Sequence, residues 1–372
     1  MAISELMNND PFGEDRVNDL VWEQAPARIK VVGVGGGGCN CVRRMLNHKT
    51  VPGVEFVAVN TDIKSLETAR DRAEVIQIGE KSTRGWGAGG DFNVGQKAAE
   101  ESSTSLRKAL KDSELVFITA GMGGGTGTGA APYVAYLAKE MGAVVVAVVT
   151  TPFSFEGRRR LDRAIAGVSR IRPYVDNLIV IHNDRLLEFV DHDAEMIEAF
   201  RTADEVVTQG IMSVSELINI PGEINVDFAD VKTIMNNPGG ALMAIGKGHG
   251  KMGALEAARQ AIANPLLNMS IKGAKGVLFS VKGGSELTLG GVNAAGELIS
   301  RAVRKDADIY FGMSVDETYE DNVSLTLIAT GLKQEELSRA IGNNRAANNA
   351  RAAGGNFQFG ALKSPGSLFG RK

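Results

Sequence analysis

The chain has 372 residues, 44% of them hydrophobic and 23% charged, with a net charge of −3; that is too long for one small core and predicts two domains with flexible ends. No stretch approaches the ~18 apolar residues of a membrane span, and the start lacks the basic-then-apolar layout of a signal peptide. A cytoplasmic protein with no direct membrane insertion and no nucleic-acid partner is therefore expected. Cys39 and Cys41 are too close for an easy disulfide and too few for structural zinc, and the four histidines lack ligand spacing, so no protein metal site is assigned.

Residues 1–27 carry six acids against Arg16 alone and read as a flexible acidic extension. From Arg28 onward, β-branched runs alternate with helical patterns. Strands are predicted at Ile29–Val34, Glu55–Val59, Val75–Ile78, Leu115–Thr119, Val144–Thr150 and Leu178–Ile181, with helices after Cys39, Asn93, Thr128, Arg158 and Asp184. This is the βαβ signature of a parallel sheet covered by helices on both faces. A helical pattern from about Glu195 to Asn219 places Ile197, Phe200, Val207, Ile211, Val214 and Leu217 at three- and four-residue steps, and it stops at Pro221-Gly222. At ~25 residues it is about twice the usual helix length, so it reads as a connector between domains. Beyond Pro238, strands near Ala241–Ile245, Val277–Val281, Ile309–Ser314 and Val323–Thr330, with helices near Ala254–Ala263 and Ala294–Val303, predict a smaller α+β domain. The alternation in Val323–Leu327 predicts a strand with one face on a core and one on water. After Gly331 the chain becomes rich in Asn, Ala, Gly and Arg and reads as a disordered basic tail.

Two glycine clusters carry the chemistry. Gly33-Val34-Gly35-Gly36-Gly37-Gly38-Cys39-Asn40 lies between a strand and a helix. There the backbone can approach an anion, and the helix start presents free N–H groups bearing roughly half a positive charge. This segment also fits G-x-G-x-x-G, with Asp62 placed like the ribose acid of a dinucleotide fold; on its own it leaves an NAD site, another nucleotide or a plain tight turn open. The second cluster, Gly121-Met122-Gly123-Gly124-Gly125-Thr126-Gly127-Thr128-Gly129, repeats the strand-to-helix context. A dinucleotide enzyme has no use for it. Two such turns at one sheet edge can cradle a triphosphate, with Thr126 and Thr128 adding hydroxyl donors. No G-x-x-x-x-G-K-[ST] occurs, which argues against a P-loop NTPase.

The run Ala120–Pro132 is similar to the signature of the tubulin/FtsZ family, and Pro152-Phe153-Ser154-Phe155-Glu156-Gly157-Arg158-Arg159-Arg160 resembles a stretch typical of its FtsZ branch. The likeness continues through Asn60-Thr61-Asp62, Thr83-Arg84-Gly85, Ile181–Leu186 and Asn225–Asp230, over roughly residues 28–332. It implies a tubulin/FtsZ-like α/β fold: a Rossmann-like parallel-sheet GTP-binding domain (28–194), a long central helix (195–220), a smaller α+β domain (221–332) and a tail (333–372). It implies GTP/GDP as ligand, held by Gly36, Gly37, Gly38, Cys39, Asn40, Gly123, Gly124, Gly125, Thr126 and Gly127, with Glu156 and Arg160 on the ribose and phosphate side and Asn183 and Asp204 facing the base. An Asp204 carboxylate accepting from two neighbouring donors would select guanine over adenine.

The same resemblance makes Asn225, Asp227 and Asp230 the catalytic set, entering the next subunit's site to orient water, with a divalent cation, Mg-like, at the phosphates. Locally, Asp227 has a competing use as cap of the helix carrying Phe228, Val231 and Ile234; Glu156 and Arg160 could be a plain i,i+4 ion pair. The partners implied are the protein itself, in head-to-tail filaments at a division site, and membrane-tethering and regulatory division proteins through the tail. Two features depart from the family pattern: Cys39 and Cys41 stand where Gly or Asn and Ala are commoner, and the final Ser364–Lys372 stretch lacks an acidic-then-apolar peptide. A dinucleotide oxidoreductase and a GTP-binding scaffold without hydrolysis are the alternatives.

Overall fold

The structure, a computed structural model, describes residues 26–48, 50–186, 196–237, 239–264 and 270–332. The expected acidic extension, the start of the long helix at Glu195 and the basic tail lie outside the described residues, apart from Pro26 and Ala27. Ten strands run in chain order: β1 Ile29–Val34, β2 Val54–Asn60, β3 Glu74–Gln77, β4 Leu115–Gly121, β5 Val144–Thr151, β6 Asn177–His182, β7 Gly240–His249, β8 Gly276–Gly283, β9 Asp308–Val315 and β10 Asn322–Leu332. They are ordered β3-β2-β1-β4-β5-β6-β7-β10-β8-β9. Every pairing is parallel except those of β10 with β7 and β8, and β6 meets β7 at Ile179–Ala241.

Among the described residues the helices are α1 Gly35–Met45, α2 Ile63–Glu67, α3 Glu80–Thr83, α4 Phe92–Glu101, α5 Ser103–Leu110, α6 Thr126–Glu140, α7 Arg158–Ile171, α8 Asn183–Leu186, α9 Met196–Asn219, α10 Phe228–Met235, α11 Gly253–Ile262 and α12 Leu289–Ala302. One face of the first six strands packs on α4 to α7. The other face shares a core with α1, α9 and α10 that continues to Leu278 of β8 and Ile328 of β10. Helices α11 and α12 bury the far face of the last four strands.

The 24-residue α9, ~36 Å long, packs in the core that runs from the first six strands to β8 and β10. Its Val207, Ile211 and Val214 are buried, each worth about 1.5–3 kcal/mol relative to exposure. Where it crosses β7 there is no room for a side chain at Gly210, since a Cβ there would sit 1.9 Å from Met243 Sδ. Its C-terminal end is tied down by Asn219, whose Oδ1 accepts from Ala27 N–H at 2.9 Å and whose Nδ2 donates to Ala27 O and Pro52 O.

Three expectations are corrected. The first helix starts at Gly35, so the glycines themselves form its first turn. Gly38 must remain bare there because a Cβ would lie 2.3 Å from Thr119 O. The last helix starts at Leu289, five residues before the expected Ala294, because Thr288 caps it by accepting from Gly291 N–H at 3.1 Å. And β10 has no water face at Thr326, which is buried: its hydroxyl donates to Ser213 of α9 at 3.0 Å, so the connecting helix covers the side that alternation assigned to solvent.

Candidate functional site

At the C-terminal ends of β1, β4, β5 and β6 the chain encloses a cavity of about 330 Å³. This is the edge at which an open α/β sheet binds ligands. Its walls come from both glycine loops (Gly36, Gly37, Gly124, Gly125, Gly127), from Asn40 and Thr126, from Glu156 and Arg160, and from Asn183, Phe200 and Asp204. Eleven of the fourteen residues predicted to bind nucleotide thus converge on one cavity.

Gly36, Gly37 and Asn40 are exposed to it; Gly36 and Gly37 belong to the first turn of α1, where N–H groups have no helical acceptor. No atom lies within 4 Å of a Cβ position at Gly36 or Gly124, leaving open space beside backbone that an anion can approach. Gly38, Cys39 and Gly123 do not line the cavity. A Cβ on Gly123 would fall 2.6 Å from Arg160 O, so this glycine, at φ +99°, lets α7 approach the loop. The Cys39 side chain is buried with Ala58, Leu66 and Ala69, its Sγ near Val59 O at 3.6 Å, and desolvation pushes its pKa up to about 12. With α1 starting at Gly35, the Cys39 N–H is already inside the helical ladder, so Cys39 serves the loop by packing. Thr128 does not supply a hydroxyl to the cavity: it is fully buried and accepts from Gly123 N–H at 2.8 Å, bracing the second loop from behind. Thr126 both lines the cavity and shares a 2.7 Å hydroxyl contact with Thr61.

Glu156 accepts from Phe153 N–H at 2.8 Å through Oε1 and pairs with Arg160 at 3.0 Å through Oε2. The ion pair and the cavity position therefore coexist. Asn183 is buried, and its Oδ1 has no hydrogen-bond partner; a buried acceptor left unmatched costs roughly 1–3 kcal/mol, and this one belongs to a cavity wall. Asp204 approaches from α9. Its Oδ2 accepts from Arg44 Nε at 2.9 Å and its Oδ1 from Cys41 Sγ at 3.2 Å. Burial raises its pKa, opposed by the Arg44 and Cys41 hydrogen bonds.

Phe200 and Ala203 were missed by sequence reasoning. Phe200 was findable once Asp204 was singled out, because the residue four before it lies on the same side of a helix, and Ala203 follows as the residue three after Phe200. Phe200 packs edge-on against Phe153 with ring centroids 5.1 Å apart, which leaves an aromatic wall in the cavity with Asn183 and Asp204.

Asp62, the candidate ribose acid, is not a cavity residue. It accepts from Lys64 N–H at 3.0 Å and from Ser65 Oγ at 2.9 Å, capping α2. Asn225, Asp227 and Asp230 are also elsewhere. Asn225 lines a different cavity, with Pro221 and Gly222, and accepts from Gly222 N–H at 2.7 Å. Asp227 stands at the N-cap position of α10 and makes no side-chain cap bond, so the competing local role is not taken up. Among the described residues no group of three His, Cys, Asp or Glu could hold a metal; a divalent cation at this site would have to take most of its oxygens from phosphate and water.

Comparison with known proteins agrees with this geometry. Residues 28–191 match the model of the Tubulin/FtsZ family, GTPase domain, and residues 239–333 that of the FtsZ family, C-terminal domain. Among solved structures, an empty FtsZ dimer from M. jannaschii is 42% identical, with 86% of this chain and 92% of that chain covered and a TM-score of 0.80. The W319Y mutant of M. jannaschii FtsZ gives 42%, 87%, 96% and 0.78. CetZ2 from Haloferax volcanii, in a GTPγS-bound protofilament, is 21% identical over 88% of this chain and 99% of its own, with a TM-score of 0.73, and shares the fold. The GTPase-domain match over this fold does not go with a dinucleotide oxidoreductase: the chain belongs to the tubulin/FtsZ family and is a GTPase.

Proposed function

We propose that this GTPase assembles head to tail into filaments that build a cytoplasmic division ring, and that its GTP is hydrolysed at the junction between subunits. The observation that carries this reading is a separation. The cavity fitted to a guanine nucleotide contains none of Asn225, Asp227 and Asp230, while those three residues lie at the entry to α10, where the two carboxylates have no side-chain partner among the described residues. The orphaned Asn183 Oδ1 and the backbone cradle support the ligand assignment.

In this reading residues 28–194 form the GTP-binding unit, α9 the connector and residues 221–332 the unit that brings the loop. Gly36 to Asn40 and Gly123 to Gly127 form the phosphate cradle, in which Gly38 and Gly123 permit close packing and Cys39 packs the loop from behind. Glu156 and Arg160 hold the ribose side, and Asn183 and Asp204 the base. The loop of the next subunit orients and polarises the attacking water. A Mg-like cation, when bound with the nucleotide, would neutralise phosphate charge. A head-to-tail contact is heterologous and does not close, so it makes a filament, as the M. jannaschii dimer and the CetZ2 protofilament make plausible for relatives. Tail-binding division proteins remain part of the proposal.

The test is phosphate release per molecule against protein concentration, with light scattering in parallel. Release that begins only above a threshold concentration, together with scattering, is the expected result. Release independent of concentration overturns the shared site.

A further inference from the structure

Two side chains of α1 hold Asp204 in an arrangement that the GTPase fold does not by itself require. Arg44 Nε reaches Oδ2 at 2.9 Å and Cys41 Sγ reaches Oδ1 at 3.2 Å, so one lone-pair site on each oxygen is occupied from the same side. A carboxylate offers about four such sites. Asp204 lines the cavity together with Asn183 and Phe200, where the remaining pair can meet a ligand. Burial works against the ionised form, and the cations acting to keep it are Arg44 and Arg43. Cys41 is itself buried and its pKa is raised well above the ordinary thiol value, so it is present as S–H and donates.

The state of this carboxyl decides which purine fits. Ionised, it accepts from two adjacent donors, the ring N–H and the amino group of guanine. Protonated, it becomes a donor beside an acceptor and matches xanthine, whose C2 oxygen stands where guanine has its amine. We propose that Arg44 and Cys41 are positioning residues for base selection: Arg44 keeps Asp204 ionised, Cys41 fixes the rotation of its carboxylate, and together they set the preference for guanine over xanthine. This rests on the reading that Asp204 meets the base.

Full-length protein and its variants are titrated with GDP and with xanthosine diphosphate, so that binding is read without hydrolysis. Arg44→Met should weaken GDP binding about 10- to 100-fold, the size of a lost charge-assisted contact, while binding of xanthosine diphosphate holds or improves; Arg44→Lys should recover part of the preference. Cys41→Ala should cost GDP about threefold to tenfold, and Cys41→Ser, which keeps a donor, should restore it. If Arg44→Met does not fold, Arg44→Lys and the two Cys41 variants decide the question. Equal loss of both nucleotides, or no change in their ratio, overturns the proposal. Asp204→Asn separates the two levels of argument. If it fails to turn the preference toward xanthine, Asp204 does not meet the base; if it does so while the Arg44 and Cys41 variants leave the ratio alone, only the positioning role falls.

Discussion

The acids around the nucleotide cavity and the acids of the Pro221–Asp230 loop are put to opposite uses. Around the cavity both lining carboxylates are tied into their own chain, Asp204 to Arg44 and Cys41 and Glu156 to Phe153 N–H and Arg160; next to Asn183, Asp184 accepts from the backbone N–H and hydroxyl of Ser154 at 2.7 and 2.6 Å. At the end of the loop Asp227 is exposed and, in the first turn of α10, Asp230 is half-buried, and neither side chain has a partner among the described residues. Fixed groups suit binding, because a ligand then meets donors and acceptors already in place. Groups left free in the monomer suit a task that only the assembled form performs. Changes in the cradle should therefore disturb fold and binding, and changes in the loop only turnover.

The largest effect expected is on turnover. Asp227→Ala should lower phosphate release by roughly 10²–10³-fold, with thermal stability within about 0.5 kcal/mol of the parent and assembly with GTP intact. Mixing it with Asp204→Ala sharpens the contrast. One variant has a sound cavity and the other a sound loop, so the mixture should release phosphate faster than either alone; a mixture no faster than the sum would mean that the loop does not act across the junction. Next in size is the cradle itself. Gly38→Ala must displace the Thr119 carbonyl or the Gly33 backbone, at a cost of about 3 kcal/mol, read as a lowered denaturation midpoint and lost GDP binding. Parent-like stability would show that the first loop has slack.

How much of this was readable beforehand differs between the two regions. The strands were legible because β-branched runs bounded by turns leave few other structures open, and β1 to β6 appear within a residue or two of their predicted ends. The glycine clusters were legible as loops. Which glycines face a ligand was not: Gly36 and Gly37 look into the cavity while Gly38 and Gly123 are bare to admit Thr119 and Arg160, and no spacing rule separates these reasons. Thr326 illustrates the same limit. Alternation marks one face of β10 as polar, but whether water or α9 covers it depends on how distant segments pack. For Asp227 local sequence offered a cap, and only coordinates show that the bond is not made.

His182 supplies a pH-dependent version of the comparison. It ends β6 directly before Asn183, with Nδ1 3.1 Å from Thr151 Oγ1, and burial chiefly lowers its pKa from 6.5 to about 4. The folded state then binds fewer protons than the unfolded chain between these values. Stability is full above pH 6.5 and is lost as pH falls toward 4, by an amount on the order of 3 kcal/mol. His182→Gln should flatten that part of the denaturation-midpoint curve, whereas Asp227→Ala should leave it as in the parent. An unaltered slope in His182→Gln would assign the pH dependence to other groups.

The smallest effect concerns what stands behind the second loop. Asp91 accepts from Asn93 N–H at 2.8 Å and so caps α4. That helix lies hard against the loop and α6: a Cβ on Gly95 would meet Gly125 O at 2.4 Å, and one on Gly129 would meet Phe92 O at 2.0 Å. Asp91→Ala should cost about 1 kcal/mol of stability. Because α4 fixes the backbone of Gly125 without touching the ligand, the same change should raise the KM for GTP about twofold to fivefold while kcat stays near the parent value. A fall in kcat at unchanged KM would mean that α4 acts on the junction with the next subunit instead of on the cradle, and the division between a binding region and a turnover region would no longer follow the boundary drawn here.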